Sequence, residues 1–71
     1  MSCLAQYTRE ITREQYDEIM AASNGRGFIP RDLETRYFSE SIIWGYGLYG
    51  TKVYEKDGKY ILWYEIGTTC D

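Results

Sequence analysis

Apolar and polar positions alternate along the chain in two distinct periods, and the changes of period divide it into elements. Residues 4–11 place Tyr7, Arg9 and Ile11 on one side of a two-residue repeat, which predicts a first strand. At Thr12 the period changes. Thr12 and Gln15 stand at the spacing of a capping box, with Ile11 and Tyr16 placed to staple the entry of a helix. Tyr16, Ile19, Met20 and Ser23 then recur at helical spacing, while Glu14, Asp17 and Glu18 take the opposite side. Asn24 and Gly25 supply left-handed residues that end the helix near Ser23.

Pro30 suits the first turn of a second helix reaching Tyr37, with Asp32 and Glu34 at its positive end and Leu33 and Tyr37 as an apolar stripe. Ser39 could cap a further short turn over residues 40–43. Two β-rich segments follow, at 48–55 and 59–66, joined through Asp57 and Gly58, the dipeptide of a tight type I′ hairpin. That turn fixes a register: Lys56 opposes Lys59, Glu55 Tyr60, Val53 Leu62 and Thr51 Tyr64. One face of the hairpin then carries Tyr49, Thr51, Val53, Tyr60, Leu62, Tyr64 and Ile66. The other carries Leu48, Lys52, Tyr54, Ile61, Trp63 and Glu65. The expected fold is α+β, a single small domain over residues 1–71 in the order β-α-α-β-β, with an antiparallel sheet whose C-terminal hairpin packs on two helices.

Size limits how much of this pattern can be buried. A chain of 71 residues hides only about 62% of its unfolded surface. Its twelve aromatic rings, eight of them tyrosine, help, because each buries about 150–250 Å² when packed. The second hairpin face is more apolar than a solvated sheet face needs to be, and it is the candidate contact surface. Its candidate residues are Trp63, Tyr54, Ile61 and Lys52, with Trp44 and Tyr46 from the preceding loop; cover by a loop or terminal segment is the structural alternative.

Charge and residue inventory narrow the chemistry. The net charge is −3, with acids and bases interleaved, which disfavours direct nucleic-acid contact. No apolar run approaches the length of a membrane span, and the N-terminus lacks the pattern of a signal peptide, so the expected location is the cytoplasm. Without histidine, Ser-His, Cys-His and His-metal sites are absent, and catalysis is not expected. Residues Gly45 to Gly50 spell G-x-G-x-x-G, but a strand follows instead of the helix that a dinucleotide site needs, so no cofactor is expected. The glycines instead let backbone approach large rings. Cys3 and Cys70 lack the spacing of a metal or redox motif, and a reducing cytosol favours two free thiols. If the first strand pairs with the last, Tyr7 opposite Ile66, Cys3 falls opposite Cys70 and a bridge becomes the alternative.

Thr8 to Thr12 with Glu14, Gln15 and Tyr16, the run Gly45 to Gly50, the segment Val53 to Tyr60 and the closing Cys70 and Asp71 resemble those of small uncharacterised proteins of phages and bacterial mobile elements. The resemblance implies a non-enzymatic inhibitor of the anti-CRISPR or anti-defence type. Its partner would be a larger protein or a protein–nucleic acid complex, blocked by steric occlusion. The alternative from the residues themselves is a self-associating domain, a homodimer that buries the same face or pairs exposed strand edges.

Overall fold

The computed structural model describes residues 2–39, 42–43 and 47–69. Strand β1 (Ser2–Ile11) leads into helix α1 (Arg13–Ala22); a 3-10 turn (Arg31–Leu33) runs directly into the short helix α2 (Glu34–Tyr37); β2 (Leu48–Lys56) and β3 (Lys59–Thr69) form the closing hairpin. The sheet is antiparallel in the order β1-β3-β2, so the last strand is the central one. The fold is the expected mixed α+β arrangement of a three-stranded antiparallel sheet and two helices.

Local sequence explains the element boundaries. The Thr12 hydroxyl accepts the Gln15 amide (3.1 Å) and the Gln15 side chain accepts the Thr12 amide (3.0 Å), closing the capping box. At the other end Asn24 and Gly25 both take positive φ, and the Gly25 amide donates to the Met20 carbonyl at 2.8 Å. Ser23 is buried there because its hydroxyl donates back to the Ile19 carbonyl (2.8 Å) and accepts the Gly27 amide (2.9 Å), which folds the following loop onto the helix. Asp57 and Gly58 have φ of 53° and 76°, the two positive values of a type I′ turn. The hairpin register is accordingly the one the turn dictates, with Val53 against Leu62 and Lys56 against Lys59.

The core lies between the helices and one face of the sheet. Ile11, Ile19, Ile29, Tyr37, Phe38, Val53 and Leu62 form it, and Tyr16, Met20, Leu33, Leu48, Tyr60 and Tyr64 pack around them. Ile19 of α1 and Leu62 of β3 are fully enclosed, at 0% exposure. Aromatic contacts tie the layers together: Phe38 meets Tyr64 edge-on at 4.9 Å, Tyr16 lies 4.8 Å from Tyr60, and Arg9 covers the Phe38 ring. The Arg9 guanidinium also donates to the Tyr37 carbonyl. Tyr37 links the helices, its hydroxyl donating to Glu18 (2.5 Å), which also accepts Arg36 (2.7 Å). Burial pushes the Tyr37 phenol up to about 12, and the Glu18 carboxylate adds to the shift by accepting its proton and repelling the phenolate.

Four details differ from the sequence expectation. Tyr49 is 59% exposed, not on the core face, because a bulge between Leu48 and Gly50 makes it the extra residue and turns Leu48 inward instead. Strand β1 begins at Ser2 and pairs two residues out of the expected register, Tyr7 opposite Tyr64, so Cys3 faces Thr68. A slip of two keeps every side chain on its face. Cys3 is disulfide-bonded, not a free thiol; Cys70 lies outside the described residues. Pro30 precedes the 3-10 turn in an extended conformation (φ −62°, ψ 156°), one residue before the helical position expected of it.

Candidate protein-contact face

The described core, with Ile19 of α1 and Tyr37 of α2 in it, lies on the sheet face of Leu62 and Val53. The opposite face is built from the alternate residues of the same strands, and the pairing registers place them in rows. Lys52 of β2, Trp63 of β3 and Thr8 of β1 form one row; Tyr54, Ile61 and Glu10 form the next toward the hairpin tip, where Lys56 pairs with Lys59. In the other direction Gly50, Glu65 and Gln6 lie side by side, and the Gln6 amide donates to Glu65 at 2.5 Å.

Trp63 sits at the middle of this face. A β-carbon on Gly50 would lie 3.6 Å from Trp63 Cζ3, so the indole covers the glycine backbone diagonally across the hairpin. The missing side chain at Gly50 gives the ring a flat seat. Trp63, Ile61 and Tyr54 are half-buried by their strand neighbours, while Lys52, Lys56 and Lys59 are exposed around them. These are all three lysines of the chain. None is ion-paired among the described residues, where the ion pairs are Arg13 with Asp17 and Arg36 with Glu18. A chain of net charge −3 thus places all its lysines on the face of this aromatic patch.

Of the candidate residues, the structure brings Trp63, Tyr54, Ile61 and Lys52 together on one face, and Trp44 and Tyr46 lie outside the described residues. A second apolar surface escaped the sequence reading. Phe28 and Tyr49, both exposed, flank a shallow cleft of about 270 Å³ between the 28–29 loop and the start of β2. Its signal was Gly50, since a glycine inside a strand pattern marks the bulge that turns Tyr49 outward. No group of His, Cys, Asp and Glu residues is arranged to hold a metal ion among the described residues. No helix among them is long and apolar enough to cross a membrane. Compared with protein-family models, curated proteins and solved structures, the chain matches none.

Proposed function

We propose that the chain is a protein-binding module that acts by laying the open face of its sheet over a surface of a larger partner. One observation carries this reading: Trp63, Ile61 and Tyr54 form a half-buried apolar patch on the sheet face away from the described core, with every lysine of an acidic chain beside it. Aromatic residues at the centre of such a patch act as desolvated anchors, and the peripheral charges orient the encounter. The lysines on the hairpin side, with Glu10 and Glu65 on the same face, favour a partner surface that is apolar at its centre and carries carboxylates where it meets the hairpin. A long polyanion fits less well, because outside this face the chain is more acidic still. The resemblance to phage and mobile-element proteins supplies the direction: a host defence complex as the partner, inhibited by steric occlusion in the anti-CRISPR manner.

The test is paired affinity capture from a bacterial host lysate with the parent chain and a Trp63→Ala variant as baits. A partner retained by the parent and weakened on the order of thirtyfold by the variant, about 2 kcal/mol, supports the face as the contact surface. A partner held equally by both baits overturns it. So does loss of the circular-dichroism spectrum in the variant, which would make Trp63 a structural residue.

A further inference from the structure

The two outer edges of the sheet are treated differently. On β2 the edge is occupied: the Val53 amide donates to the Gly27 carbonyl at 2.7 Å, and the Thr51 hydroxyl accepts the Ile29 amide at 2.7 Å. The Val53 bond also fixes which backbone groups of β1 are free. Its amide points away from β3, so the pair Val53 and Leu62 exchanges no hydrogen bonds, and Leu62 turns its amide and carbonyl toward Arg9 of β1. The bond from the Gly67 amide to the Gly47 carbonyl, five residues farther along β3, gives the same parity. Arg9, Tyr7 and Ala5 therefore bond to β3. Leu4, Gln6, Thr8 and Glu10 turn their amides and carbonyls outward, and no backbone group among the described residues meets them.

Of the devices that protect a strand from addition, that edge carries only the charges of Arg9 and Glu10, which lie on opposite faces near its end. Strand β1 has no proline and no lysine, and its pairing with β3 runs through ten residues without a bulge. Two of the large apolar side chains left exposed, Leu4 (50%) and Tyr7 (45%), belong to it, one on each face. The folded chain also exposes 5085 Å², against about 4,600 Å² expected for its mass.

We propose that β1 pairs antiparallel with β1 of a second copy of this chain, joining two sheets into one across a two-fold axis at Tyr7. The sequence of the strand is self-complementary about that point. Tyr7 meets Tyr7 of the second copy, extending the stack that each already makes with its own Tyr64 at 5.6 Å. Gln6 opposes Thr8, Leu4 opposes Glu10 and Ala5 opposes Arg9, so no like charges face each other. The outward groups supply about eight backbone hydrogen bonds. Centring the axis on Gln6 instead would set Tyr7 against Ala5 and lose the aromatic pair. A strand-to-strand interface of this kind lies at the small end of specific contacts, so the dimer is sought over a broad concentration range.

Sedimentation equilibrium and amide hydrogen exchange across a micromolar to millimolar series test this together. The expected result is a mass that rises toward twice the monomer, with the amides of Leu4, Gln6, Thr8 and Glu10 slowing about tenfold when nine-tenths of the chain is dimeric. The Tyr7 and Arg9 amides stay protected throughout. A monomer at every concentration overturns the proposal, as does a dimer in which the four outward amides exchange freely. Thr8→Pro removes an outward donor and leaves the β3 ladder whole; it is expected to keep the parent far-ultraviolet spectrum and sediment as a monomer. A folded Thr8→Pro chain that still dimerises overturns the β1 edge, and if that variant does not fold, exchange in the parent chain decides alone.

Discussion

The two faces of the sheet are made from the same kinds of residue. On β3 the inward set is Tyr60, Leu62 and Tyr64, the outward set Ile61, Trp63 and Glu65, and among the described residues the helices pack on the first. Composition therefore does not decide which face is core. What decides it is the position of the helices, set by the capping box at Thr12, the fold-back of the Ser23 loop and the Arg9 contacts to Tyr37 and Phe38.

The comparison breaks most sharply at neighbouring residues. Leu62→Ala empties a fully enclosed position and is expected to cost about 2–5 kcal/mol in urea denaturation, whereas Ile61→Ala, one residue away on the open face, should cost less than about 1 kcal/mol. Equal costs would mean that the outward face is structural. Gly27→Ala comes next: φ is +80°, and an added β-carbon would lie 3.3 Å from the Val53 carbonyl oxygen. The loss is expected at about 1–2 kcal/mol, read as a lower thermal midpoint; an unchanged midpoint would show that the loop does not hold the β2 edge.

A smaller effect separates the helix layer by pH. The Tyr37 phenol is raised to about 12 from its usual 10, so its contribution is fully present below pH 10 and is lost as pH rises through 12. The parent chain should lose more stability over that window than Tyr37→Phe; parallel pH profiles of the two would refute the Tyr37 to Glu18 link. Smallest of all, Lys52→Ala should leave stability within about 0.5 kcal/mol while slowing partner association, a split that surface-plasmon kinetics and a melt read separately.

Local chemistry was the legible part of the sequence. Asp57 and Gly58 determine their turn almost alone, and with it the hairpin register down to Lys52 against Trp63. The capping box at Thr12 is equally self-contained. The pairing of β1 with β3 is not, because no tight turn joins them and any even slip preserves the faces; the stack of Tyr7 on Tyr64 selects among those slips only after the chain has folded. The Leu48 bulge was hidden for a related reason, since one extra residue inverts the alternation upstream of it. Of the candidate site, the grouping of Trp63, Tyr54, Ile61 and all three lysines followed from the hairpin register; the seat that Gly50 gives Trp63 did not, because it depends on the bulge.

Placing the central strand last has a consequence for how the protein is made. Strands β1 and β2 never touch as neighbours; each is an edge whose centre is β3. During synthesis β1 emerges before the other two strands and has no partner until β3 follows, so it joins the local β2–β3 hairpin only through contacts distant in sequence. The helix α1 can form on its own signals while the ribosome is still at work, but the layer it covers is assembled in one late step. Until then the apolar residues of both faces stand equally exposed, and the nascent chain depends on speed of closure to keep its free β1 edge from pairing with the wrong strand.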